Sequence, residues 1–333
     1  MKKILNDPAD YVDETLAGMV AAHPEHYALH GETGRVVARA TKGAAGKVGV
    51  VTGGGSGHLP VFAGYVGKGL LDACAIGDVF ASPSAEQMAE AIRIADRGAG
   101  VLRLYGNYGG DIMNFDMAGD LVEFDGIECS SVVVADDVAS APPAEREKRR
   151  GVAGMVYAFK IAGAAAEAGG DLAAVTAVAQ KAVDACRSIG AALSSCTVPQ
   201  AGRPTFDIAD DEMEMGMGIH GEPGVWRDKL RRADAIADEM MDRLFADQPL
   251  AAGMRVSVLV NSLGATPPEE LYIVYRIVKA RIEGAGATIV MPLVGRYATS
   301  MEMAGISITL LKLDAELEAH LTAPCNCAFW RVG

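Results

Sequence analysis

Three short apolar runs in the first half of the chain each end in a turn built from small and polar residues. Val48 to Thr52 leads into Gly53-Gly54-Gly55-Ser56-Gly57-His58. Gly100 to Leu104 precedes Gly106-Asn107-Tyr108-Gly109-Gly110-Asp111, and Ser130 to Val134 precedes Asp136-Asp137. Each turn is followed by a helix-like stretch, so the rhythm is that of α/β units. In open α/β sheets ligands sit where strand-end loops converge, which makes these three turns candidates for one shared site.

Between Gly151 and Arg187 the chain reads as two Ala-rich helices divided by Gly169-Gly170-Asp171. A second β-containing half follows, with strands expected at Ser194 to Pro199, Arg255 to Val260, Thr288 to Pro292 and Ser307 to Leu313. Its own glycine-rich loop runs from Glu214 to Gly224 and carries His220. With 333 residues the chain exceeds the size at which one core keeps growing, and 39 glycines with half the residues hydrophobic suit an α/β enzyme. The expectation is two α/β domains, each with a central sheet flanked by helices, covering 1–185 and 186–333.

A formal charge of −13 disfavours a nucleic-acid partner, which needs clustered cations. The dense stretch Arg146 to Arg150 reads as a solvated helix end. Lys2 and Lys3 run into Asp7, Asp10, Asp13 and Glu14 with no apolar core of a signal peptide, and no apolar run is long enough to span a bilayer. A cytoplasmic protein with no membrane partner is expected. Six cysteines are too few for a disulfide scaffold, and Cys325-x-Cys327 lacks nearby histidines that would complete a metal site. His23, His26 and His30 read as surface or edge residues, so no metal is expected.

The glycines at 53, 54, 55 and 57 suit either a tight turn or a loop whose N–H groups face an oxygen-rich ligand. The stretch lacks the Gly-Lys-Ser/Thr ending of a P-loop and the dinucleotide fingerprint, so nucleotide binding is not indicated. His58 at its end is either an ordinary histidine or a general base for a substrate hydroxyl. Asp111 suits polyol recognition and equally suits an N-cap for a helix beginning at Ile112. His220 lies between Gly218 and Gly221, with Glu222 placed to orient its ring.

The run from Gly53 to His58, with Gly64-Tyr65-Val66-Gly67-Lys68-Gly69 and Asp72 to Pro83, resembles the substrate-binding module of dihydroxyacetone kinases. So do Asn107 to Asp111 with Asn114-Phe115, Gly216 to Gly224, and Gly295 to Gly305. These segments keep their order across nearly the whole chain. The resemblance implies a subunit in which His220 attacks a ketone carbon and holds a short ketose as a hemiaminal, so that 1–185 is the ketose-binding domain and 186–333 carries the covalent histidine loop. An alcohol offers no electrophilic carbon, so such a bond excludes glycerol. By the same resemblance Asp111 and His58 surround the hydroxyl to be phosphorylated, and Gly55, Ser56 and Gly57 line the pocket.

Phosphoryl transfer depends on positioning and charge stabilisation, and the groups that hold the donor can sit on another chain. The resemblance implies a nucleotide-binding kinase subunit in trans, with Mg²⁺ and ATP or ADP on that partner, no cofactor on this chain, and a homodimer. The chain stops before a fused nucleotide module would begin, which points the same way. Two departures stand out. Gly106 replaces the family's usual lysine beside the pocket, and Leu59 replaces the glutamate of its His-Glu-Pro. Both admit a four-carbon ketose such as erythrulose in place of dihydroxyacetone, and a non-catalytic ketose sensor is a further alternative.

Overall fold

The computed structural model describes residues 2–333. The first six-stranded sheet comprises β1 (Tyr27–His30), β2 (Val36–Arg39), β3 (Gly49–Ser56), β4 (Ala73–Val79), β5 (Val101–Gly106) and β6 (Cys129–Val134), in the order β1-β2-β4-β3-β5-β6. The four strands β4, β3, β5 and β6 are parallel. From β3 the chain moves to β4 on one side and then crosses to β5 on the other. The carboxyl ends of β3 and β5 therefore flank a topological switch point, the place where such sheets hold ligands.

Alternation along the strands sorts the core into two faces. After α1 (Tyr11–Ala22), helices α2 (Ala85–Ala95) and α3 (Gly109–Glu123) cover one face, where Met88, Ile92 and Phe115 meet Val51 and Val101. Ser84 and Gln87 close a capping box at the start of α2. On the other face lie α4 (Gly154–Glu167) and α5 (Leu172–Ala185), where Phe159 and Val175 join Val50, Leu102 and Val132. Every residue of α4 from Gly154 to Ala166 is buried. A helix apolar on all sides must be enclosed. Here the same cluster takes in Cys186, Leu259 and Leu311, so α4 lies between this sheet and a second one.

That second sheet is built from β7 (Cys186–Ala192), β8 (Glu212–Met215), β9 (Trp226–Lys229), β10 (Arg255–Ser262), β11 (Thr288–Ile289), β12 (Leu293–Gly295) and β13 (Gly305–Leu313). Its order is β11-β10-β13-β7-β8-β9, with β12 also paired to β10. Helices α6 (Ala233–Asp247) and α7 (Pro268–Gly284) cover its outer face. The chain ends with α8 (Ala315–Thr322) against α4 and the short pair β14 (Cys325–Asn326) and β15 (Arg331–Val332). No described helix is long and apolar enough to cross a membrane.

The α/β architecture with central sheets flanked by helices agrees with the sequence, as do the two Ala-rich helices. Several local expectations do not hold. Ser194 to Pro199 is not a strand. The strand is β7, just before it, and the chain leaves the ladder where Leu193 and Ser194 both donate to the carbonyl of Ala304. Thr288 to Pro292 shortens to β11, because Met291 turns the backbone to a φ of 49°. The glycines at 53 to 55 are strand, not loop. After His58 there is only a single 3-10 turn, Ala63–Tyr65, since Phe62 at φ 73° cannot continue a helix. Arg146 to Arg150 is a solvated helix end only in part: Glu147 and Lys148 close an exposed 3-10 turn, whereas Arg149 is 1% exposed and pairs with Asp247.

Candidate active site

Glycine lets β3 run to its end inside the protein. A Cβ at Gly55 would lie 2.7 Å from the backbone nitrogen of Ala81, and one at Gly54 would overlap the ring of Phe62. The strand thus delivers His58 to an almost fully buried position, 1% exposed. Its Nδ1 faces the carbonyl oxygen of Thr299 at 2.7 Å. A carbonyl can only accept, so Nδ1 carries the proton and Nε2 holds a lone pair. That Nε2 has no hydrogen-bond partner. Phe80 stacks on the ring at 4.8 Å. Burial, and after it the charge of neighbouring His220, push the His58 pKa down from 6.5 to about 3. His58 is therefore held neutral, with Nε2 able to accept a proton or a hydrogen bond.

The second half of the chain fixes this loop. Met301 N–H donates to the carbonyl of Gly57 at 2.7 Å and the Thr299 hydroxyl to that of Leu59 at 3.1 Å. Gly57 adopts a φ of 104°, and a Cβ there would meet the Phe80 ring at 2.8 Å. Ser56 and Gly57 border a separate cleft of about 520 Å³, together with Arg296, Thr299 and Glu302. Gly55 packs against Phe80 and Ala81.

Asp111 is not an N-cap. Helix α3 starts at Gly109, so Asp111 sits within its first turn, 5% exposed. One carboxylate oxygen, Oδ1, is buried without a partner. Burial raises the pKa of Asp111 from 3.8 to about 6, against the opposing pull of the Ser82 hydroxyl and of His220.

His220 stands between these groups. Its ring meets His58 edge to face at 4.8 Å, Tyr108 at 4.8 Å and Phe80 at 5.3 Å. Its Nδ1 lies 3.0 Å from Glu222 Oε1, and its backbone N–H donates to Oε2 at 2.9 Å. Burial works against a charge on Glu222, but the hydrogen bonds from His220 outweigh it and bring the Glu222 pKa down to about 2. The ionised carboxylate accepts from Nδ1–H, which fixes the ring through Nδ1 and leaves Nε2 outside this pair.

The structure therefore brings His58 and His220 into contact and places Asp111 within electrostatic reach of His220. Gly106 ends β5 beside the Tyr108 ring, to which a Cβ would come within 3.1 Å. Sequence reasoning assigned no role to Phe80, Tyr108 or Thr299. All three lie inside the recognised motifs; for Phe80 and Tyr108 the aromatic side chain is the available signal, whereas a backbone carbonyl such as that of Thr299 leaves none.

The Dak1 domain matches residues 17–329. The dihydroxyacetone-binding subunit DhaK of PTS-dependent dihydroxyacetone kinase 1 from Listeria innocua is 47% identical over 317 residues, 95% of either chain. The D-erythrulose kinase of Mycolicibacterium smegmatis is 44% identical over all of this chain, which spans 57% of that enzyme. Among solved structures, the dihydroxyacetone kinase of C. freundii superposes with a TM-score of 0.91 at 32% identity, over 99% of this chain and 60% of the other. Matches of this extent include every loop that builds the His58, Asp111 and His220 cluster, and the chain belongs to the dihydroxyacetone kinase family.

Proposed function

We propose that this chain is the ketose-binding subunit of a dihydroxyacetone-type kinase, holding its substrate covalently on His220. The observation that carries the reading is a pair of buried acceptors with no partner, His58 Nε2 and Asp111 Oδ1, beside a histidine whose nucleophilic nitrogen is free. Buried polar atoms are rarely left unpaired, and a short polyhydroxy ketone supplies the hydroxyls these two lack. In the attack, Nε2 of His220 forms a bond to the carbonyl carbon while the π pair moves to oxygen, which takes a proton from water, and the ring, keeping its Nδ1 proton, carries the positive charge. Glu222 holds the Nδ1 proton. No atom leaves, so the adduct has the full mass of the ketose.

Asp111 is the proton acceptor for the hydroxyl to be phosphorylated. Its raised pKa makes it a stronger base than an ordinary carboxylate while leaving it mostly ionised at neutral pH. His58, held neutral, accepts a hydrogen bond from that hydroxyl. The phosphoryl group comes from a separate nucleotide-binding subunit, which holds Mg²⁺ and ATP or ADP. The proposal extends to a homodimer, as the sequence resemblance implies, and to a cytoplasmic protein with a domain boundary near residue 185, as the residue pattern of the chain suggests.

A four-carbon ketose is the second reading. It is favoured by the D-erythrulose kinase relative and by Gly106, which leaves the wall beside Tyr108 free of a side chain. Intact-protein mass spectrometry with dihydroxyacetone, both erythrulose enantiomers and glycerol tests both. The expected result is a ketose adduct of undiminished mass that disappears in His220→Ala and never forms with glycerol. An adduct with glycerol and none with any ketone would sink the proposal.

A further inference from the structure

The His220 loop carries glycines at 216, 218, 221 and 224, with φ of 85° at Gly216 and 86° at Gly221. Such a backbone has little stiffness of its own, because glycine populates more conformations than any other residue. Something outside the loop must hold the nucleophile still. The structure shows one side chain that grips both of its ends. The Arg150 guanidinium donates from Nη2 to the carbonyl of Gly216 at 2.9 Å, before His220. From Nη1 it reaches the carbonyls of Glu222 at 3.4 Å and Pro223 at 3.5 Å, after it.

The guanidinium is itself fixed, with Nε and Nη2 on Asp137 Oδ2 at 2.9 and 2.7 Å. Gly218 gives it room, since a Cβ there would stand 2.8 Å from Nη1. The backbone on either side of Arg150 is held from the opposite direction. Asn107 donates through Nδ2 to the carbonyls of Glu147 and Arg149 at 2.8 and 2.7 Å, and the Tyr108 hydroxyl donates to that of Gly151 at 3.0 Å. Asn107 and Tyr108 lead directly into α3 and Asp111. Residues 147–151 thus form a strap with the Asp111 helix clasped to one side and the His220 loop to the other.

We propose that Arg150 is a positioning residue for the nucleophile: through the strap it sets the placement of His220 relative to Asp111 and His58. The inference rests on the covalent role of His220 proposed above. Arg150 touches no reacting atom, and a lysine cannot replace it, because one ammonium does not present the planar fork that spans both ends of the loop.

Adduct occupancy against dihydroxyacetone concentration, read by intact mass, tests this in Arg150→Ala. Loss of a charge-assisted hydrogen-bond set predicts that half-occupancy needs about tenfold or more ketose. Millimolar guanidinium chloride should restore occupancy to the variant, where equal potassium chloride does not, a response that general loosening of the fold would not give. Unchanged occupancy in Arg150→Ala, or no rescue in a variant that melts as the parent does, overturns the inference. Should Arg150→Ala not fold, Arg150→Lys is read instead: weakened occupancy supports the assignment and parental occupancy overturns it. Absence of an adduct in the unsubstituted protein would remove the His220 reading, and this inference with it, whereas a normal adduct in the variants removes the inference alone.

Discussion

His58 and His220 meet edge to face, with ring centroids 4.8 Å apart and planes at 83°. Two imidazolium rings in such contact repel, and the buried one yields. With its pKa near 3, His58 should show no titration of its ring signals between about pH 5 and 8 in NMR spectra, the range in which an ordinary histidine changes charge. The Nδ1-protonated tautomer, set by the Thr299 carbonyl, should persist throughout. A midpoint near neutrality would mean that burial and His220 do not hold the ring neutral as described.

As the proposed proton acceptor, Asp111 trades stability for reactivity. Its folded pKa of about 6 lies above the ordinary 3.8, so its ionised form is disfavoured in the folded state. That cost is complete above pH 6 and vanishes as pH falls below the unfolded value. A shift of this size corresponds to roughly 3 kcal/mol. Asp111→Asn should therefore abolish phosphorylation in the presence of a cognate nucleotide subunit and yet be more stable by about 1–3 kcal/mol at high pH. Denaturant unfolding at several pH values should show that advantage shrinking between about pH 6 and 4. The parent's rate should fall about tenfold per unit below pH 6, as the proton acceptor fills.

Much of this arrangement was legible before any coordinates. The switch-point loops after β3 and β5 follow from apolar runs that end in small residues, and the division of α4 from α5 follows from Gly169-Gly170-Asp171. What stayed hidden depends on partners remote in sequence. Charge density marked Arg146 to Arg150 as solvated, but Arg149 meets Asp247 98 positions away and Arg150 meets the His220 loop. Glycine's poor strand propensity hid the end of β3, where close approach of Phe62, Phe80 and Ala81 demands residues without side chains. The tautomer of His58 depends on a main-chain carbonyl, to which sequence is blind.

In the proposed attack Glu222 both orients His220 and offsets its charge. Glu222→Gln keeps the shape and can still accept through its carbonyl oxygen, but it removes the negative charge that offsets positive charge building on the ring during attack. Charge-assisted hydrogen bonds are roughly twice as strong as neutral ones, so ketose affinity should drop about 10- to 100-fold. The loss should appear in the adduct titration, and the melting temperature should fall as well, because the lowered pKa of Glu222 means that its charge also stabilises the folded state.

In the proposed function Gly106 bears on substrate choice through Tyr108. A methyl group at 106 would stand 3.1 Å from two atoms of the Tyr108 ring and 3.3 Å from Met155 Sδ, so both neighbours must shift. The Tyr108 ring in turn rests against His220 at 4.8 Å. Space beside the nucleophile is thereby coupled to the side chain at 106, and a longer ketose feels the change more than a shorter one. One carbon more or less in a shaped pocket alters selection by about 10- to 200-fold. Gly106→Ala should therefore lower the ratio of erythrulose to dihydroxyacetone adduct by about tenfold in a competition read by intact mass. An equal fall for both ketoses would mean that residue 106 disturbs the nucleophile without selecting substrate length, and an unchanged ratio with unchanged occupancy would place it outside the pocket wall.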